Sequence, residues 1–270
     1  MSSKAPSMIA RLTALAINLT LGMTPGTLFF IWIERNCALP FSKTGLDLPL
    51  IDLKSLPLIA KLLWNASLFM TFGVLHSFFA QPEIHKYIRK VLPEQFIRTL
   101  YMVITGFCVS LIMFCWQHTG IQLYSLSLPK TTLDIISIAL YSIFMTCNVY
   151  IFHIFGIFNL FGLEQIFHKE DKAEVRSEGT QQLFTTGIYG IVRHPIYTFF
   201  MSAFLLAPRM TLDRMWIVVL CLSYLSFGVP VEERKLVKLF GQPYLEYRKK
   251  VPAVIPKIPF LQRNKKVKSI

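Results

Sequence analysis

The sequence predicts an all-α membrane protein: a polytopic helical bundle of about six spans, the last two forming a tight hairpin, followed by an amphipathic helix on the cytoplasmic side. Three observations carry this reading. Of 270 residues, 53% are hydrophobic and 23 are phenylalanine, more apolar surface than one soluble core of this size takes up. The apolar residues gather in runs near the length that crosses roughly 30 Å of hydrocarbon as helix. Basic residues gather in alternate connections between those runs.

The runs cover about 8–33, 56–80, 96–116, 133–161, 191–207 and 215–231. The first is too long for a signal-peptide core and lacks a small-residue cleavage pattern, so it is expected to be retained as a span. The fifth is short, and only "PRMTLDR" joins it to the sixth. Placing the C-terminus inside puts 21 of the 28 lysines and arginines on the cytoplasmic side, in the N-terminal tail, at 82–98, at 164–193 and after Glu232. Both termini are therefore expected to be cytoplasmic. The same juxtamembrane placement accounts for the net charge of +13 through attraction to an anionic lipid bilayer, so no nucleic acid partner is needed to explain it.

The five cysteines, Cys37, Cys108, Cys115, Cys147 and Cys221, have no CxxC spacing and fall mostly within apolar runs. Neither a disulfide framework nor a metal site is indicated. No internal repeat is visible, and no linker is long enough to separate soluble domains. The expected organisation is one membrane domain over 1–270: four spans in 1–161, a polar C-terminal core in 162–256, and a basic tail in 257–270. The longest polar stretch, "LEQIFHKEDKAEVRSEGTQQ", joins the fourth and fifth spans.

The chemistry concentrates where the fifth run begins, in "GIYGIVRHPIYTFF". Pro195 lacks an amide hydrogen and disfavours helix at the residue before it, so a helix starts or kinks here and frees backbone groups. Such groups are tolerated at membrane depth only against protein or a polar cavity. On the plain structural reading Arg193 reaches to the interface, His194 caps a helix end and Pro195 sits in the first turn. The alternative is a binding site. The sixth run ends in "VPVEERK", and a folded-back hairpin brings Glu232 and Glu233 to the depth of Arg193 and His194. Those acids could equally pair with Lys235 or Lys238 along their own helix. Adjacent carboxylates diverge on a helix, so one of the two at most dominates a pocket.

"TTGIYGIVRHPIY" followed by "EERKLVKLFGQPYLEYRKKVP" resembles the signature of integral-membrane S-adenosylmethionine-dependent methyltransferases, the group with the isoprenylcysteine carboxyl and phospholipid methyltransferases. Within it the chain is most similar to methanethiol S-methyltransferases and nurim proteins, through "LHSFFAQPEIHKYI", "FNLFGLEQIF" and "APRMTLDR". The resemblance implies that Tyr189, His194, Pro195, Ile196 and Tyr197 line the pocket for S-adenosyl-L-methionine and that Glu232 contacts it from the other helix. Glu233 and Arg234 would be neighbours, and Gln181, Leu183 and Phe184 would cover the nucleoside. Two departures bear on the substrate. Phe199 stands where a small residue is common, and Gly228 stands where the isoprenylcysteine enzymes carry an arginine for the substrate carboxylate, which argues against a prenylated C-terminus.

The implied activity is methyl transfer to a small lipophilic thiol such as methanethiol. The alternatives are an inactive nurim-like structural protein and a methyltransferase acting on a lipid head group. Transfer from a sulfonium to a thiolate cancels charge, so the protein has mainly to align and dry the reactants. The thiol must also lose its proton. His194, Glu233 or a water are the catalytic candidates for that step. His76 and His153, deeper in the second and fourth runs, either pack between helices or border a substrate cavity. A transporter would place ionisable residues near the midplane in two related halves, a pattern this sequence lacks.

Overall fold

The computed structural model describes residues 6–37, 51, 53, 55–156, 158, 161–167 and 183–257. The first run forms α1 (Met8–Ile17), a π-helical turn (Asn18–Met23) and α2 (Thr24–Cys37). Ser7 begins it by accepting a hydrogen bond from the Ala10 amide. The wide turn was not legible in the sequence, and its cause is local. Asn18 is fully buried and donates to Thr99 Oγ1 and to the Phe161 carbonyl, while Thr24 Oγ1 donates to the carbonyl of Leu19 five residues back.

The next two runs form α3 (Leu58–Phe79) and α5 (Ile97–Cys115), with the short α4 (Pro82–Ile88) between them. The fourth forms α6 (Lys130–Phe155), closed by Gly156 in the left-handed region, and α7 (Leu163–Phe167) follows. The π turn packs directly on α5. A Cβ added at Gly106 would sit 2.0 Å from the Leu21 carbonyl oxygen, so only glycine permits this approach. Gly106→Ala is therefore expected to lower stability by about 1–3 kcal/mol. Thermal unfolding in detergent would read this as a clear fall in Tm, and a parental Tm would mean the two backbones are less closely packed.

The fifth run differs from its expectation. Its helix, α8 (Pro195–Leu205), has 11 residues and is about 16 Å long, half of what a span requires. The crossing is completed by non-helical chain through Leu206–Pro208 into β2 (Arg209–Thr211), which pairs antiparallel with β1 (Gln122–Ser125) beyond the end of α5. Non-helical backbone at this depth needs partners. Arg214, 2% exposed, donates from Nε to the Phe204 carbonyl; the Tyr124 hydroxyl donates to Ala207; the Leu126 amide donates to Pro208. Among the described residues, five helices are thus long and apolar enough to cross a membrane, the crossing at 195–208 being half helix. The small sheet is likewise an addition to the predicted all-helical architecture.

The sixth run forms α9 (Leu212–Phe240), longer than its apolar part because the polar "EERKLVKLF" continues as helix. Gly241, with φ of 61°, turns the chain into the short, basic-ended α10 (Gln242–Lys250). A core of Trp32, Phe69, Ile112, Trp116, Phe204 and Ile217 ties the first, second, third, fifth and sixth crossings together. Near the sheet, Asp213 accepts hydrogen bonds from Trp116 Nε1 and from the Thr119 amide and hydroxyl, and Asn65 pairs with the Gln117 backbone in both directions. That end of the bundle is therefore a rigid frame from which α8 and α9 run back to the opposite end.

Candidate functional site

At the opposite end, the backbone around Pro195 finds unexpected partners. The amides of Arg193 and His194 donate to the carbonyls of Pro252 and Ala253, each at 2.9 Å, and Thr198 Oγ1 donates to Val254 at 2.6 Å. The segment 251–254, following α10, thus runs back as a strap over the entry to α8. Pro195 occupies the first turn of α8, as the plain structural reading expects, but the other two parts of that reading fail. His194 stands at the N-cap position without a side-chain cap, its ring being turned inward and 6% exposed. Arg193 does not reach for the interface: its side chain is 9% exposed and bound inside the protein.

Arg193 is the hub of the arrangement. Its Nε lies 2.8 Å from Glu233 Oε1, Nη2 contacts the same oxygen, and Nη1 donates to the carbonyls of Arg248 and Val251. Glu233 is buried, and Arg248 approaches its other oxygen at 3.7 Å. Glu232 diverges from it as adjacent helical carboxylates must. Its side chain is 45% exposed, and Oε2 accepts from the Tyr197 hydroxyl at 2.9 Å. The His194 ring lies between the two acids, with Nδ1 3.5 Å from Glu232 and Nε2 3.4 Å from Glu233, and stacks on Tyr197 with centroids 5.5 Å apart. Pro230, inside α9 two residues before Glu232, removes one backbone rung where these side chains leave the helix.

Tyr189 belongs to a small cluster with Tyr244 and Tyr247 of α10, against which Leu183, Ile188 and Val251 pack. The Tyr247 hydroxyl donates to the Tyr189 carbonyl at 2.6 Å, and the Phe184 ring lies 6.1 Å from that of Tyr189. Burial pushes the phenols of Tyr244 and Tyr247 up to about 12 and raises that of Tyr189 further, so all three remain neutral hydrogen-bond donors at physiological pH. Pro195 is buried and Ile196 half-buried on the first turn of α8. Gln181 and the rest of the connection from 168 to 182 lie outside the described residues. His153 is exposed on α6, whereas His76 is half-buried and hydrogen-bonded inside the bundle. Among the described residues, no three His, Cys, Asp or Glu side chains group as metal ligands.

The sequence reading brought His194, Tyr197, Glu232 and Glu233 to one place, and they are together. It missed Arg193 as the anchor, the strap at 251–254 and the tyrosines at 244 and 247. The spacing Tyr-x-x-Tyr on a basic helix was the available signal for the last pair.

The residues suit a sulfonium cofactor. A half-exposed carboxylate held by one hydroxyl offers a site for a cation, and the stacked His194 and Tyr197 rings lie beside it. Fold and site thus define a polytopic membrane protein with a carboxylate- and aromatic-lined site at one end of its helical bundle. Residues 132–243 match the model of the phospholipid methyltransferase family.

The chain is 30% identical over 195 residues to methanethiol S-methyltransferase 1 of Bradyrhizobium diazoefficiens, covering 71% of this chain and 66% of the relative, just under two thirds of its length. It is 27% identical over 201 residues to the methanethiol S-methyltransferase of Crocosphaera subtropica, covering 74% and 76%. Over a shorter stretch of 83 residues it is 43% identical to the protein-S-isoprenylcysteine O-methyltransferase of Schizosaccharomyces pombe, covering 28% and 34%. No solved structure matches the chain.

Proposed function

We propose that the protein is a membrane methyltransferase that moves the methyl group of S-adenosylmethionine to a small lipophilic thiol such as methanethiol. The observation that carries this reading is the division of labour between the two glutamates. Glu233 is consumed by Arg193, whereas Glu232 presents a half-exposed carboxylate beside the His194–Tyr197 stack. The similarity to methanethiol methyltransferases over about seven tenths of the chain supports the thiol as acceptor. When bound, the cofactor supplies an electrophilic methyl group on a sulfonium.

In this reading Glu232 and Tyr197 hold the cationic part, while Tyr189, His194, Pro195 and Ile196 wall the nucleoside side. Glu233 serves with Arg193 to fix the backbone before Pro195. The site faces the cytoplasm, in keeping with the basic-residue bias, and residues 162–256 form the cofactor-holding core. Glu232→Gln is expected to weaken cofactor binding by about 1.5–3 kcal/mol with the fold intact, since a charge-assisted contact is lost without change of shape. Calorimetry with S-adenosylmethionine reads the loss, and unchanged affinity would remove Glu232 from the site. Labelled methyl donor against a panel of thiols and amine-bearing lipids identifies the acceptor: labelled thioether supports the proposal, label in lipid alone replaces the acceptor, and no label with either sinks the enzyme.

A further inference from the structure

The strap that closes over the site ends on a surface that the cofactor-holding residues leave unused. Residues 251–254 are half-buried under Arg193, His194 and Thr198, and the chain then emerges: Ile255 is 78% exposed, with Pro256 and Lys257 exposed beside it in sequence. Lys257 Nζ turns back and donates to the Lys250 carbonyl at 2.8 Å, at the end of α10. There the helix exposes Arg248, Lys249 and Lys250, while Glu246 is its one acid. Arg248 leans toward the buried Glu233 at 3.7 Å, but among the described residues Lys249, Lys250 and Lys257 have no ion-pair partner. Like charges held this close repel one another, and an anionic surface relieves the repulsion.

The depth of this surface follows from the strap. Thr198 lies within the first turn of α8, where the chain enters the membrane, and its hydroxyl donates to the Val254 carbonyl. The polar end of α9 carries the chain out of the bilayer, and α10 brings it back until the Arg248 and Val251 carbonyls meet Arg193. Ile255 and the end of α10 are therefore level with the entry of α8, where acyl chains give way to headgroups. The connection between α3 and α5 repeats the pattern at the same end of the bundle: Tyr87 is 67% exposed, and Lys90 lies over its ring at 5.3 Å. Exposed apolar side chains flanked by lysines suit the acyl–headgroup boundary, where the stem and ring enter and the ammonium stays with phosphate.

Building on the methyltransferase reading above, we propose that Lys249, Lys250, Ile255 and Lys257 dock on anionic lipid headgroups around the bundle, and that this contact holds the strap closed and tightens cofactor binding. The coupling is short. The strap lies between docked residues 250 and 255, so fixing them removes freedom that the strap otherwise loses on closing. Its carbonyls at Pro252 and Ala253 hold the amides of Arg193 and His194, and its Val251 carbonyl holds the Arg193 side chain. A neutral bilayer offers the three ammonium groups no such attraction and leaves Ile255 alone to anchor the segment.

The test compares the full-length protein with a Lys249→Gln, Lys250→Gln, Lys257→Gln triple variant in two kinds of vesicle, phosphatidylcholine alone and phosphatidylcholine with roughly one third phosphatidylglycerol. Calorimetry with S-adenosylmethionine should give affinities within about twofold in the neutral vesicles and about tenfold tighter binding by the parent in the anionic ones. Comparison within one kind of vesicle cancels the attraction of a cationic cofactor to the charged surface. A spin label on Ile255→Cys, with the native cysteines replaced, reads docking without the cofactor. In anionic vesicles it should meet lipid-soluble oxygen more than a water-soluble nickel complex, and the triple substitution should reverse this. Equal affinities in anionic vesicles, the same difference in both kinds, or a label facing water in the parent would overturn the proposal. A parent that binds no donor in either vesicle while its label still reports docking overturns the functional reading instead.

Discussion

Arg193→Ala is expected to destabilise the protein by about 3–5 kcal/mol and to abolish cofactor binding. The guanidinium joins three parts of the chain: Glu233 of α9, the Arg248 carbonyl at the end of α10 and the Val251 carbonyl in the strap. Its removal leaves Glu233, with a side chain 10% exposed, facing His194 and the more distant Arg248 among the described residues. A buried carboxylate without a close cation is among the more costly defects a fold can carry. Adding Glu233→Gln to Arg193→Ala should recover part of the stability, because the uncompensated charge disappears, but not binding, because the strap remains unanchored. Thermal unfolding in detergent and calorimetry on the single and double variants separate the two effects. A Tm within a degree or two of the parent in the single variant would show that the ion pair contributes little.

A chain ending at Lys250 should insert normally yet bind the cofactor at least tenfold more weakly, a loss of about 1.4 kcal/mol or more. The strap supplies the acceptors for the amides of Arg193 and His194 and for the Thr198 hydroxyl, and unmade hydrogen bonds in a half-buried place cost about 1–3 kcal/mol each. Freed of those partners, the segment before Pro195 has no fixed path, and the His194 ring loses its position between the acids. A chain ending at Lys257 keeps 251–254 and is the control, expected to bind like the parent. Parental affinity in the shorter chain would assign the strap to packing alone.

How much of this was readable depends on the kind of interaction. Spans were legible because contact with lipid is a property of each residue, and a run of apolar residues registers it without reference to the rest of the fold. The short crossing after Pro195 was expected, but its half-helical form escaped because its second half is held by Arg214, by Tyr124 and by a strand more than 80 residues earlier, and no local pattern encodes such partners. The meeting of His194 with Glu232 and Glu233 was legible because a hairpin places its two ends at one depth. The strap was not, since backbone carbonyls carry no side-chain signature. Arg193 was misread for a related reason. An arginine at a membrane boundary ordinarily reaches for water, and only the buried Glu233 and two free carbonyls turn it inward.

The strap has a consequence for how the protein is made. Residues 251–254 close on Arg193, His194 and Thr198 across a separation of 56 to 59 positions. During synthesis α8 therefore enters the membrane with the two amides just before it, those of Arg193 and His194, lacking these partners, and it stays so until the whole of α9 and α10 has followed. The half-helical crossing also depends on Arg214, which emerges after it. Insertion of this region is then cooperative with the translation of what comes next: the nascent chain passes through a stage in which every span is delivered but the end that holds Arg193 and His194 is still open. A pause or truncation within that interval would yield an inserted protein that quality control can distinguish from the finished one by its exposed, unpaired backbone.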